Sequence, residues 1–354
     1  MNVRAVLACM ALGAMSGAQA QVPPLVEQAF PVEAGRALFT ARCAVCHIVE
    51  ARRRGDLLDV ERTRGPDLSF AGTRLRAAWM RAWLVAPKPV RPAGYLPHRA
   101  VVSTARGDVV DPSRLPAHPA LSPRDAELAT VFLASRTRDL NPHPTEAANA
   151  GIRAWVHFNR LLPCGACHRV GAGDGGISGP DLSGASTRLS TDWLAAYVSD
   201  PPYWQAGLMP LIPLRSDQLT AIVDMLAQPN STAPAASLPS ASVAALPVPE
   251  PTSRPARIYR LLCSQCHGLL GNGKGINAPH MFVAPRNHTS APDMATATLQ
   301  TVSRAIRYGG PAVGKSALMP AWGAVLAPAD IDLLADYVLS LSGSRGARTR
   351  AQTP

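Results

Sequence analysis

The chain has almost no cysteine left over for ordinary uses. Of seven in 354 residues, six fall in three copies of one five-residue spacing, and the seventh, Cys9, lies in an apolar stretch near the N-terminus. No thiol remains for a structural disulfide, a separate zinc site or a catalytic nucleophile. Long apolar runs are also missing. Past residue 20 no segment reaches the ~18 consecutive apolar residues that a membrane span needs, so the mature chain is expected to be soluble. Aromatics make up only 5% of the sequence, a thin supply for the cores of the two or three domains that this length suggests. The basic excess, 35 Lys and Arg against 24 Asp and Glu for a formal charge of +11, is carried almost wholly by arginine, whose planar fork suits carboxylates.

The repeated spacing is Cys-x-x-Cys-His: Cys43-Ala44-Val45-Cys46-His47, Cys164-Gly165-Ala166-Cys167-His168 and Cys263-Ser264-Gln265-Cys266-His267, the last followed by Gly268, Gly271, Gly273 and Gly275. This is the attachment signature for haem c: the two thiols add to the porphyrin vinyl groups, and the adjacent histidine becomes an axial ligand. One isolated Cys-x-x-Cys would fit a redox dithiol or half a zinc site. Three copies with no spare cysteine predict three covalently bound haems. The macrocycles then supply apolar surface that the few aromatics do not, and their propionates match much of the arginine excess.

Residues 1–20 read as a secretory signal, with Arg4 as the positive start, an apolar run from Ala5 to Ala14, and Ala18-Gln19-Ala20 as a small-x-small cleavage site. Cys9 stands too early in the apolar run to make a convincing lipoprotein site. A periplasmic location is expected, with the protein soluble after cleavage or anchored if the signal is retained. The rest divides into three units, at residues 21–141, 142–228 and 256–343, one per attachment site. Residues 229–255, rich in Pro, Ala and Ser, read as a linker that lets the third unit move, and residues 344–354 as a disordered basic tail. Units one and two carry a gapless repeat. Gly65-Pro66-Asp67-Leu68-Ser69, Thr73-Arg74-Leu75 and Trp79 recur as Gly179-Pro180-Asp181-Leu182-Ser183, Thr187-Arg188-Leu189 and Trp193. The charged stretch Glu50 to Arg64 reads as a solvated loop. Amphipathic helices are expected to close the units at Ser122–Ser135, Ser216–Gln228 and Pro328–Leu341, burying Leu128 and Phe132, Ile222 and Met225, and Leu333 and Tyr337.

With these parts in place the chain resembles class I c-type cytochromes, three in tandem, over nearly all of its mature length. The resemblance implies an all-α fold of three cytochrome c-like domains, each wrapped around one haem, with His47, His168 and His267 as proximal ligands. It implies that the carbonyls of Pro66 and Pro180 hold the first two histidines; the third unit lacks that turn, and Pro285 or Pro279 would substitute. Arg74 with Trp79, and Arg188 with Trp193, are candidates to hold propionates, the alternative being ordinary core and surface. Leu318-Met319-Pro320 and Leu208-Met209-Pro210 resemble the family's Met-Pro ligand loop and make Met319 and Met209 the sixth ligands, with Met281 and Met294 as packing. Unit one departs from the pattern: allowing a one-residue shift, Ala93-Gly94-Tyr95-Leu96-Pro97-His98 puts leucine where its sibling has Met209. Met80 matches Leu194 and packs. For that haem His98 is the first candidate, His118 the second and an open position the third; His143, His157, His280 and His288 have no motif support.

The expected function is electron transfer from a quinol-oxidising complex or periplasmic dehydrogenase to a terminal oxidase or reductase, as a carrier or subunit and not as an independent enzyme. A histidine-ligated first haem would have the lowest potential, because a thioether favours reduced iron. The alternative is a peroxidase-like haem enzyme with an open site in unit one. Redox proteins are the expected partners. A basic face also suits a membrane surface, while nucleic acid is not expected.

Overall fold

Each attachment motif sits at the end of a helix that another helix crosses. The computed structural model describes residues 31–50, 55–140, 151–171, 175–204, 208–229 and 244–343, with the side chains of 151 and 152 excepted. The expected signal, the basic tail and residues 230–243 of the linker lie outside the described residues. Among those described, no helix is long and apolar enough to cross a membrane.

In the first segment, Val32–Arg42 packs across Pro123–Ala134. A Cβ at Gly35 would fall 2.2 Å from the Leu128 carbonyl, so only glycine permits the crossing. Phe39 and Phe132 meet there with ring centres 5.5 Å apart, and Arg42 pairs with Asp125 at 3.0 Å. Proline at N1 and the Ser122 hydroxyl, which accepts from the Asp125 N–H, start the closing helix. Its counterparts are Ser216–Ala227 and Pro328–Ser340. The last buries Ile331, Leu334, Ala335 and Val338 and leaves Leu333 49% exposed, so the expected inward register is wrong by one position there.

The fold is helix-rich but not purely α. Val101–Thr104 pairs antiparallel with Gly107–Val110, with Val102 opposite Val109. Branched residues on both arms and a Gly107 at φ 134° account for the hairpin, which the helical reading did not anticipate.

The hairpin docks against the third segment. Asp108 N–H donates to the Lys274 carbonyl (2.8 Å), Leu269 N–H donates to the Asp108 carboxylate (2.7 Å), and Leu246 N–H donates to the Ser103 carbonyl (2.8 Å). The expected solvated loop is also part of this interface. Leu57–Arg62 forms a 3-10 helix whose Leu58 and Val60 join one core with Ile258 and Leu334. Ion pairs of Arg257 with Glu61 (3.0 Å) and of Arg254 with Asp56 (2.7 Å) and Asp330 (2.6 Å) close it.

Segments one and two join through the repeat itself. Leu75 and Leu189, equivalent positions, form an antiparallel bridge; Arg76 N–H donates to the Arg188 carbonyl and Ser190 N–H to the Arg74 carbonyl, both at 3.0 Å. Phe70 of the first segment is fully buried in the second segment's core, against Trp193 and Trp204.

Burial pushes the Asp108 carboxyl up from 3.8 to about 6, against the lowering effect of its bond from Leu269. Between about pH 4 and 6 the folded chain thus keeps a proton that the unfolded chain has released, and stability falls as pH rises through that window. Asp108→Asn is expected to gain on the wild type by on the order of 2–3 kcal/mol from pH 4 to pH 7 in thermal unfolding. A difference between the two that does not change with pH contradicts this.

Candidate haem sites

A spacing of three residues within one helical turn brings two thiols to the same side. Cys164–Cys167 and Ser264–His267 are single turns of helix, each entered from a widened turn at His157–Leu161 and Tyr259–Cys263. In the first segment Cys46 N–H and His47 N–H both donate to the Cys43 carbonyl at 3.0 Å and make the same turn.

Each following histidine is held by its Nδ1 on a backbone carbonyl. His47 reaches Pro66 at 2.9 Å, His168 reaches Pro180 at 2.9 Å, and His267 reaches Arg286 at 3.0 Å. The third carbonyl is therefore that of Arg286, not of Pro285 or Pro279. A Cβ on Gly65 or Gly179 would come within 2.6 Å of the imidazole, which is why the turn before each of those prolines is glycine. Burial lowers the pKa of all three imidazoles, that of His168 to about 4, despite the opposing pull of the carbonyl bonds. They are neutral, with Nε2 left free, the form and tautomer an iron ligand needs.

A cavity of about 700 Å³ lies over His267 and is lined by Cys263, Cys266 and Met319. The Met319 loop is fastened to the helix Leu299–Tyr308 and to the turn after it: Gly310 N–H donates to the Met319 carbonyl (2.9 Å) and Trp322 N–H to the Ile306 carbonyl (2.8 Å). His288, read from sequence as surface or structural, is buried behind the proximal ring. It stacks on His267 at 4.2 Å and 18°, with its Nδ1 3.0 Å from the Tyr259 hydroxyl.

A second cavity, of about 130 Å³, is lined by Cys164, Cys167, His168 and Met209. Its wall is cationic. Arg74, Arg91 and Arg188 all face it, and the Arg74 guanidinium lies 5.1 Å from the centre of the Trp193 ring. Burial lowers the pKa of all three, and repulsion from Arg74 helps bring Arg188 to about 10. Arg74 Nε and Trp193 Nε1 are buried without a hydrogen-bond partner. Such a cluster is short of anions, and two propionates fit that need. Of the two residues expected together, Arg74 lines the cavity beside the second attachment turn and Trp79 does not. The Leu75–Leu189 pairing carries Arg74 across, while Trp79 stays in its own core, stacked on Trp83 at 5.6 Å. Arg91 was missed by sequence reasoning, because nothing local distinguishes it from a surface arginine.

The two cavities share Cys167, Leu262, Gln265, Pro320 and Trp322. Asn277, fully buried, ties the turns together: its Oδ1 accepts from Ile177 N–H (2.9 Å) and Ser178 N–H (3.1 Å), and its Nδ2 donates to Ser178 Oγ (2.8 Å).

The first attachment site differs. His98, the leading candidate for its sixth ligand, is turned into the interface with the third segment, where its charged neighbours are Glu61, Arg99, Glu250 and Arg260; burial lowers its pKa to about 4. The ring beside His47 is that of His118.

Compared with known families, residues 250–338 match the model described as cytochrome c oxidase, cbb3-type, subunit III. The match supports a c-type cytochrome domain in this segment. No curated protein and no solved structure matches the chain. A cytochrome c domain carries covalently bound haem c and points to electron transfer, and the residues of the third site fit that group: thiols on one turn, a pinned neutral imidazole, and a thioether in the same cavity wall.

Replacing Arg74 with Gln removes one cation from the second cavity and favours its ferric state. At ~10 Å and an effective dielectric of ~20 the charge is worth about 1–2 kcal/mol, or roughly 40–80 mV for a one-electron couple. Spectropotentiometry of the holoprotein should show the second site's midpoint falling by that amount. A fall confined to the first site would place Arg74 with its own segment after all.

Proposed function

We propose that the chain is a periplasmic three-haem cytochrome c that relays electrons as a carrier or electron-transfer subunit. Haem c would be held at Cys43 and Cys46, Cys164 and Cys167, and Cys263 and Cys266, with His47, His168 and His267 as proximal ligands and Met209 and Met319 opposite the second and third. The bound group supplies a one-electron iron couple. The chain's own residues set its properties: carbonyls fix each imidazole, Arg74, Arg91 and Arg188 neutralise propionates at the second site, and Met209 and Met319 raise the potentials of their sites.

The observation that carries this reading is the contact between the second and third sites. Two cavities that share five lining residues, Cys167 of the second attachment turn among them, leave only a thin wall of side chains between the groups they would hold. Such an arrangement suits electron passage and gives no catalytic acid or base a place between them. Electrons would come from a quinol-oxidising complex or a periplasmic dehydrogenase. Because the matched family description names an oxidase subunit, a terminal oxidase is favoured over a reductase as the acceptor. An arginine-rich exterior suits an acidic redox partner or a membrane surface.

Rapid mixing of the oxidised holoprotein with a substoichiometric one-electron donor tests this. The second and third sites are expected to share the electron within the instrument's dead time of about a millisecond, on the timescale of side-chain and loop motions or faster. Redistribution over seconds would overturn the relay.

A further inference from the structure

The first segment's described methionine, Met80, is buried on the helix Ala77–Val85 in the core with Phe39 and Cys43, and the stretch that corresponds to its sibling's ligand loop has left the site altogether. Leu96 is buried in the third segment's core, and Pro97 lines the second cavity. In the second segment, only a few residues separate Pro210 from the closing helix at Ser216. In the first, residues 98–121 intervene, run out through the hairpin and return along Leu115-Pro116-Ala117-His118-Pro119.

We propose that His118 is the sixth iron ligand of the first haem, opposite His47, an inference that rests on the three-haem reading above. The two imidazole ring centres are 6.1 Å apart, with the planes inclined at 50°. Metal–imidazole nitrogen bonds are about 2 Å long, and each ring centre lies roughly one further ångström beyond its nitrogen, so two imidazoles on opposite faces of one iron have centres about 6 Å apart. Both rings also present the same nitrogen. His47 Nδ1 is on the Pro66 carbonyl at 2.9 Å and His118 Nδ1 on the Pro119 carbonyl at 3.0 Å, which leaves Nε2 free on each, the usual arrangement of a ligating histidine.

The placement is built. Leu121 N–H donates to the Leu84 carbonyl at 2.9 Å, and Leu121 packs with Leu84, Ala126 and Ala129, so the returning strand is fastened to the end of Ala77–Val85. Trp83 lies against the His118 ring at 4.6 Å, is itself stacked on Trp79, and donates its Nε1–H to the Lys88 carbonyl at 2.8 Å. His98 has no such relation to His47. A pair of imidazoles fills both axial positions, removes the open site that a peroxidase-like reading requires, and gives the first haem the lowest potential of the three.

The test uses the holoprotein with substitutions at each histidine. In wild type the three ferrous haems are expected to stay low-spin and bind no carbon monoxide. His118→Ala should make one haem in three high-spin and reactive with carbon monoxide, and added imidazole should restore the low-spin spectrum. His118→Met should keep that haem low-spin and raise its midpoint potential, which covers the case of an unstable alanine variant. His98→Ala should match wild type in all these readouts. The proposal is overturned if His118→Ala keeps three unreactive low-spin haems, if His98→Ala opens the site instead, or if wild type already binds carbon monoxide. Pyridine haemochromogen content separates the failures: fewer than three haems in wild type removes the three-haem reading and this one with it, while three haems and an unaltered His118→Ala spectrum remove this one alone.

Discussion

One buried amide holds the arrangement together. Asn277 sits between the second and third attachment turns, where its carbonyl oxygen satisfies two backbone N–H groups and its nitrogen the Ser178 hydroxyl. Those N–H groups belong to the stretch that runs through Gly179 to Pro180, whose carbonyl pins His168. Asn277 also lies 3.7 Å from the Cys266 sulfur. The same side chain therefore supports the turn that holds His168 in one segment and borders Cys266 in the next. Each donor it satisfies would otherwise cost about 1–3 kcal/mol in a site without water, which makes the contact specific in a way that apolar packing alone would not be.

The arginines follow from the same closeness. Three cations facing one small cavity are unfavourable by themselves, as their lowered pKa values indicate. Asp67 and Asp181 offset part of that charge, and the two carboxylates of a haem held there would offset more, at the place where Trp193 also has a spare donor. Arginine suits the role better than lysine because its fork binds a carboxylate in two places and stays charged when buried. Because Arg74 and Arg91 come from the first segment, the two segments line one cavity together.

What could be read from the sequence was local. Each Cys-x-x-Cys-His motif fixes a turn, a histidine and a direction, and the Gly-Pro dipeptides foretell the carbonyls that hold His47 and His168, because the proximal ring leaves no room for a Cβ. The positions of the closing helices were legible for the same reason. The errors came from long-range contacts that no period reports. Arg74 lines a neighbour's cavity because equivalent segments pair across the repeat. The Glu50–Arg64 stretch buries Leu58 and Val60 in another segment's core. A linker composition says how far the third segment could reach, not that hydrogen bonds from residues 103–108 would hold it. His98 was favoured for its nearness in sequence to a missing methionine, yet the ring beside His47 is twenty positions further on.

The central claim is that one chain carries three thioether-linked haems, and the intact mass of the denatured, acid-acetone-washed protein from a host that attaches haem c measures it directly. The account predicts a single species heavier than the processed chain by three haem groups, with the colour retained through extraction. A mass showing fewer than three additions, or haem lost to the acetone, would contradict it.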